Sequence, residues 1–332
     1  MVTSPASASI TLLDAAFGAS PATWPLPCAS TPQDAWLRAI ALGGAGRYAA
    51  AHAELIGIPA SRPGGLASLA LSTRASLLRQ LAWHTHARGF DGRALSLAGS
   101  DAEARSDALV GLAADALGLA RFPLAHALLE QAEPLAGRGD ARWPWRLPLR
   151  LAWVHAELAM VSGDGERALR YAHAAEELAQ DVPSVRHQVK TTMVLAAALS
   201  SVGDLDKSAV VAARGLRAAT AHKLMPLRWA LAAMLAGLPT PDEAGRCGED
   251  LVAVRREVPR GLPARAGSGA WRWWTKCAAC WRPTLLSLVT APPRCTTRNT
   301  GECAVDDKYG ERARRRRCCC RQRRSRRAFR GT

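Results

Sequence analysis

The chain has 332 residues and a formal net charge of +16, with 48% hydrophobic and only 5% aromatic residues. Alanine and leucine, which lead the helix-propensity ranking, are abundant, while the residues typical of strands are scarce, so the composition argues against a sheet-based fold. No stretch approaches the roughly 18 uninterrupted apolar residues of a transmembrane helix, so we expect no contact with a membrane.

The first 30 residues are predicted to form a loose N-terminal arm. They contain no Lys or Arg, and the first basic residue is Arg38, so the basic start and the continuous apolar run of a signal peptide are missing. Only Cys28 and Cys247 precede residue 265, which gives no disulfide framework and fits a reducing compartment. We therefore expect a cytoplasmic protein.

Residues 31–258 contain an internal repeat in which an apolar helix, a tight turn and a second apolar helix follow one another. The predicted turns are at Gly46, Gly89, Ala120, Gly163, Gly203 and near Pro239. Alanine stands seven positions before each turn, at Ala39, Ala82, Ala113, Ala156, Ala196 and Ala232. A small residue stands five positions after each turn, at Ala51, Ala94, Ala125, Ala168, Ser208 and Ala244.

This succession of small residue, turn, aromatic or leucine, and second small residue resembles the tetratricopeptide repeat, over about residues 31–258. The turns are unevenly spaced, whereas the family repeat is about 34 residues long. The resemblance implies an all-α fold, with antiparallel helical hairpins stacked as a tetratricopeptide-like α-solenoid and followed by a disordered basic tail. The alternative is an irregular all-α bundle.

Enzymatic motifs are absent from the sequence. The stretch 202–208 lacks the G-x-x-x-x-G-K-[ST] frame of a phosphate-binding loop, and there is no H-E-x-x-H helix, nucleophile elbow or dinucleotide fingerprint. His84 and His86 are two residues apart on a predicted helix and so face different directions. We expect a non-catalytic protein without a cofactor or a bound metal.

The partner-binding candidates come from the first helix of each predicted hairpin. Ten residues before the turns stand Trp36, Arg79, Val110, Trp153, Met193 and Trp229. Tryptophan and arginine dominate binding hot spots, and the resemblance implies that this position faces a groove for a protein or peptide partner. Neighbouring candidates are Trp83, His86, Arg150, Glu157 and Lys190. The alternative is that the tryptophans pack in the core between helices.

The tail, residues 259–332, is rich in Arg and Cys and contains most of the charge. Between Arg265 and Thr332 there are 18 Arg or Lys and 4 Asp or Glu. Clustered arginines neutralise phosphates, so an alternative function is a nucleic-acid-associated regulator that uses this tail. The candidates are Arg314, Arg315, Arg316, Arg317, Arg323, Arg324, Arg326 and Arg327.

Two other interpretations of the tail remain open. Cys277 and Cys280 form a C-x-x-C pair that Cys295 and Cys303 would complete as a zinc site, although the second pair has unusual spacing. Otherwise the tail is out of frame, because GC-rich Leu and Ala codons read one base late give Trp, Cys, Arg and Pro. Reading all three frames of the gene beyond about codon 246 separates this interpretation from a genuine tail.

Overall fold

The computed structural model describes residues 5–59, 64–136 and 142–238, and the short segments 296–297 and 303–304. The chain divides into two units, Met1–Pro283 and Thr284–Thr332. The first contains twelve described α-helices and a 3₁₀ helix, Glu133–Leu135. The α-helices are α1 Pro5–Phe17, α2 Pro32–Gly44, α3 Tyr48–Ile56, α4 Gly65–Arg79, α5 His84–Leu97, α6 Ala102–Gly118, α7 Phe122–Ala132, α8 Arg146–Val161, α9 Gly165–Gln180, α10 Val185–Ser201, α11 Leu205–Ala221 and α12 Met225–Leu235.

Five helical hairpins follow one another from α2 to α11, and their turns have a common geometry. Each turn contains one residue with a positive φ, which ends the preceding helix. These residues are Gly46, Ala82, Ala120, Gly163 and Gly203. Four of them are at predicted positions, but the second predicted turn, at Gly89, is wrong. Gly89 lies inside α5. It was predicted as a turn because Gly89 and Phe90 match the sequence pattern of a glycine followed by an aromatic residue.

The corrected second turn completes the pattern of small residues. Taking Ala82 as the turn replaces Ala82 and Ala94 in the predicted series with Ala75 and Ala87. The residues seven before and five after each of the five turns are then all fully buried: Ala39, Ala75, Ala113, Ala156 and Ala196, and Ala51, Ala87, Ala125, Ala168 and Ser208. Their short side chains let the two helices of each hairpin approach closely.

The opening helices of the hairpins lie side by side. We call α2, α4, α6, α8, α10 and α12 the first helices, and α3, α5, α7, α9 and α11 the second helices. Residues near the start of one first helix contact residues near the start of the next, as Arg146 of α8 does with Asp107 of α6. The first helices therefore run parallel. The partner of α12 in a sixth hairpin, and the turn near Pro239, lie outside the described residues.

Helix α1 corrects the prediction of a loose N-terminal arm. Leu12 is fully buried and Phe17 is nearly so, while the Ser9 hydroxyl donates a hydrogen bond of 2.7 Å to Asp34 Oδ1 on α2. Leu12 and Phe17, with Ala8, Ala15 and Ala16, bury one face of this helix. The arm therefore contains a packed helix, and Thr31 caps α2 at the start of the predicted repeat.

Unlike an open solenoid, the array brings its ends together. A Cβ placed on Gly44 of α2 would lie 3.2 Å from Cδ of Arg186 on α10. One placed on Gly46 would lie 3.3 Å from Cβ of Met225 on α12. The Val185 amide also donates a 3.2 Å hydrogen bond to the Gly18 carbonyl. The beginning of the helical domain therefore packs against α10 and α12.

We expect Gly44→Leu to weaken this closing contact, because the new side chain would overlap Arg186. Overpacking of this kind costs about 1–3 kcal/mol, and the scattering-derived radius of gyration should rise. Gly89→Leu is the matched control, since a Cβ there meets nothing within 4 Å. That change should stabilise α5 by up to about 1 kcal/mol, through helix propensity. Equal denaturation midpoints for both variants would contradict the closing contact.

Among the described residues, no helix combines the length and apolar character needed to cross a bilayer. In the second unit, strand β1 (Thr296–Thr297) pairs antiparallel with strand β2 (Cys303–Ala304). These four residues differ from the predicted disordered tail. The rest of that prediction, for residues 259–332, lies outside the described residues.

Candidate ligand-binding cavity

One cavity of about 870 Å³ lies among the first helices. Each first helix contributes part of one face to it. On α10 they include Arg186, Lys190, Met193 and Ala197, which recur at intervals of three or four and so share one side of the helix. The volume falls within the range of small-molecule and cofactor sites in proteins.

The predicted partner-binding residues divide between this cavity and other places. Those that line it are Arg79, Arg150, Trp153, Glu157, Lys190 and Met193. Those that do not are Trp36, Trp83, His86 and Trp229. Val110, from the same repeat position, also lines the cavity. The structure therefore brings together six of the ten candidates.

The repeated tryptophans pack between neighbouring first helices. Trp36 is fully buried, and its indole N–H donates a 2.9 Å hydrogen bond to Thr73 on α4. Trp153 of α8 donates in the same way to Thr191 on α10, over 3.0 Å. Trp36 thus packs in the core between helices, which was the alternative interpretation. Trp153 packs between helices and also lines the cavity. Trp229, on α12, is partly buried.

Trp83 and His86 correct the prediction directly. They lie at the start of α5, a second helix, because the turn is at Ala82. His86 is exposed, and its ring centroid lies 6.1 Å from that of Trp83. Arg79 was placed ten residues before a turn, but it is the last residue of α4. Arg79 therefore lines the cavity from the C-terminal end of α4, and not from a position ten residues before the turn as predicted.

Basic side chains gather at one end of the cavity. We call Arg146, Arg150, Arg186 and Lys190 the cationic end; all four line the cavity, at the N-terminal halves of α8 and α10. Asp107 of α6 bridges the first two. It accepts from Arg146 Nη2 at 2.6 Å and also from Arg150.

Two further carboxylates, Glu103 and Glu157, form ion pairs at this end. Arg146 Nη1 lies 3.4 Å from Glu103 Oε1. Lys190 Nζ lies 2.8 Å from Glu157 Oε1 and also 5.9 Å from the centroid of the Trp153 ring. Burial raises the pKa of Glu103, while the charge of Arg146 opposes that rise.

Arg186 differs from its neighbours because no described carboxylate lies within 4.0 Å of its guanidinium. Its Nη2 donates a long hydrogen bond of 3.5 Å to the Ala16 carbonyl. Burial, and then the charges of Arg146 and Arg150, lower the pKa of Arg186 to about 10. The group is charged at neutral pH in a region that already contains positive charge.

Aromatic rings lie behind the cationic end. This aromatic cluster consists of Phe17, Trp36, Trp143, Trp145 and His187. The Phe17 centroid lies 4.6 Å from that of Trp143, and the Trp145 centroid 4.8 Å from that of His187. Burial, and then the charge of Arg186, lowers the pKa of His187 well below its ordinary value, so the ring is neutral.

A second charged cluster borders the cavity at the end of α4. Arg79 Nη1 lies 2.8 Å from Asp91 Oδ2 and 2.9 Å from Asp115 Oδ2, and both aspartates are fully buried. The same nitrogen donates to the Gly111 carbonyl at 2.9 Å. His84 Nδ1 lies 3.3 Å from Asp115 Oδ1.

The position of Gly111 explains how the carboxylates fit against α6. A Cβ at this residue would lie 2.3 Å from Asp91 Oδ2, so only glycine leaves room for the group. Burial raises the pKa of Asp91 to about 7; Arg79 opposes that rise and Asp115 adds to it. Sequence reasoning missed these carboxylates, although Asp107 and Asp115 are the only charged residues in the otherwise apolar stretch 107–118 of α6.

The arrangement around Ser184 is a structural one. Its hydroxyl lies 2.8 Å from His187 Nδ1, which superficially resembles a nucleophile and its base. Ser184 has no exposed surface, so a substrate has no access to the hydroxyl. In the described part of the chain, no three His, Cys, Asp or Glu side chains are grouped for a metal ion.

No protein-family model, no curated protein and no solved structure matches this chain. The function is therefore inferred from the geometry of the cavity and its charges. The tail arginines predicted to bind polyanions, Arg314 to Arg327, lie outside the described residues, as do three cysteines of the zinc interpretation, Cys277, Cys280 and Cys295.

Proposed function

We propose that this chain is a non-catalytic binding protein that holds a segment of a protein or peptide partner in the cavity between its first helices. The observation that supports the proposal is that first helices from every hairpin contribute side chains to one 870 Å³ space. Six residues chosen from the sequence as partner-binding candidates line that space. The resemblance to tetratricopeptide repeats, in which first helices bind partner peptides, points to the same function.

The cavity supports a short segment rather than a folded domain as the bound part. Its residues include apolar side chains such as Met160 and Met193 as well as paired charges such as Glu157 and Lys190. Methionine adapts its shape to different ligands, so an apolar peptide side chain would be accommodated well. Because the ends of the array pack together, the cavity volume of about 870 Å³ limits the size of the segment that can bind.

The described charged groups that border the cavity are engaged in structural contacts, which favours binding over catalysis. The carboxylates of the Arg79 cluster and of the Asp107 bridge are held in ion pairs, and Ser184 is inaccessible. The alternative, a nucleic-acid-associated regulator that uses the tail, has no supporting observation among the described residues. It stays a prediction for the tail alone.

A library of random peptides displayed on phage and selected against the full chain tests the proposal. Ala197 lines the cavity, so Ala197→Trp should fill part of it and reduce peptide affinity about tenfold or more. Ala50→Trp, at an exposed position on α3, is the matched control. Circular dichroism checks that both variants fold.

Selected peptides should bind the wild type and Ala50→Trp with equal affinity in calorimetry. Undiminished binding to Ala197→Trp would place the peptides elsewhere on the protein and refute the cavity as the site. A selection that yields no binding peptide would refute the proposed function itself.

A further inference from the structure

Among the described residues, the ion pairs at the cationic end include three of its four basic side chains. Arg146, Arg150, Arg186 and Lys190 supply four positive charges. Three carboxylates contact them, Glu103, Asp107 and Glu157. Within the described ranges, these carboxylates pair with Arg146, Arg150 and Lys190, and none lies within 4.0 Å of the Arg186 guanidinium.

An uncompensated arginine in such a place is unfavourable for the empty protein. Its guanidinium carries five N–H donors in a planar fork, but one long contact to the Ala16 carbonyl is all that the described residues give it. Arg146 and Arg150, its charged neighbours, repel it. A bound anion would relieve this repulsion and supply acceptors, and a carboxylate matches the fork with two parallel hydrogen bonds.

The rest of the cavity indicates what the anion is attached to. Beyond the cationic end, the walls formed by α8, α10 and α12 are largely apolar and include Met160, Met193, Leu227, Ala230 and Met234. Met193 lies about two helical turns from Arg186 on α10, which corresponds to about 10 Å. A ligand with a charged end and an apolar body of this length would fill both parts.

We propose that the cavity binds a single carboxylate at Arg186, attached to an apolar body that lies along α8, α10 and α12. The inference rests on the proposed function in that it assigns the ligand class of the same cavity. A carboxylate pairs with the fork of a single arginine through two parallel hydrogen bonds, and it is an anion that an apolar body can carry at one end. The carboxylate belongs either to the C-terminus of an apolar peptide or to a free apolar carboxylic acid.

Two matched pairs of probes, titrated calorimetrically into the full chain at neutral pH, test the inference. One pair is decanoate and decanol. The other is N-acetyl-Ala-Leu-Ala-Leu with a free carboxylate and the same peptide as its amide. At least one acid is expected to bind about tenfold or more tightly than its neutral partner, because an Arg–carboxylate pair is bidentate and charge-assisted.

Arg186→Gln should abolish the preference for the acid, and Arg186→Lys should keep part of it, because the charge remains and the fork is lost. Arg170→Gln, at an exposed position on α9, is the control and should bind as the wild type does. Arg186→Gln removes an uncompensated charge, so its melting temperature should equal or exceed that of the wild type, which separates lost binding from lost folding.

Equal affinities for acid and neutral probes, or an acid preference that persists in Arg186→Gln, would overturn the inference. This failure is distinguishable from failure of the proposed function. If the neutral peptide binds as well as the acid, peptide binding stands and the carboxylate anchor falls. If decanoate alone binds and Arg186→Gln abolishes that binding, the carboxylate anchor stands and the peptide partner falls.

Discussion

Arg79→Met is expected to lower the free energy of unfolding by about 3–5 kcal/mol, which is the usual cost of removing one partner from a buried ion pair. The arginine contacts Asp91 and Asp115, both fully buried, and donates to the Gly111 carbonyl. Without Arg79, the buried Asp91 and Asp115 lose the ion pairs that they form with its guanidinium. Urea denaturation followed by circular dichroism measures the loss.

Arg88→Met is the matched control, because Arg88 is exposed on α5 and its replacement should change stability by no more than about 0.5 kcal/mol. Adding Asp91→Asn and Asp115→Asn to Arg79→Met should restore part of the lost stability, since no buried charge then remains unpaired. A loss for Arg79→Met no larger than that for Arg88→Met would show that the cluster contributes little.

The second large effect is a pH dependence that comes from Asp91. Burial raises the pKa of Asp91 from its ordinary value of 3.8 to about 7, so the folded protein holds a proton that the unfolded chain releases. The stabilisation is complete below pH 3.8 and is lost as the pH rises towards 7. By linkage the total is on the order of 4 kcal/mol.

Asp91→Asn isolates this contribution, because an amide does not titrate. The unfolding free energy of the wild type minus that of Asp91→Asn should fall as the pH rises from about 4 to about 7, and should be constant above that. Asp181→Asn, at an exposed position, is the control and should leave the profile of the wild type unchanged. A flat difference for Asp91→Asn would mean that Asp91 is ionised throughout.

The successful part of the sequence analysis rested on local signals. Gly46, Gly163 and Gly203 were found because glycine adopts a positive φ without strain. Ala120 was found because the helices on both sides of it are strongly periodic. The same rule misplaced the second turn, because Ala82 adopts the left-handed conformation while Gly89 is helical. Neighbouring helices, rather than the propensity of either residue, decided that case.

The charged site depended on contacts between distant segments. Arg186 was not a candidate, since nothing in its local sequence distinguishes it from the other arginines of the chain. The role proposed for it depends on having no described carboxylate within 4.0 Å, and on Arg146 of α8 and Ala16 of α1 as neighbours. Likewise, the Arg79 cluster joins three helices, α4, α5 and α6.

By itself, the sequence determined that the chain is helical and predicted helical hairpins over residues 31–258, of which the structure describes five between Pro32 and Ala221. Helix propensity, apolar periodicity and small residues at fixed distances from each turn are properties of neighbouring residues. The sequence also singled out Trp153, Glu157, Lys190 and Met193. Tertiary structure decided that Trp36 is core, that α1 packs on α2, and that the ends of the array meet around a cavity. Those outcomes depend on how each hairpin is rotated relative to the next. That rotation is set by many contacts between residues that are far apart in the sequence.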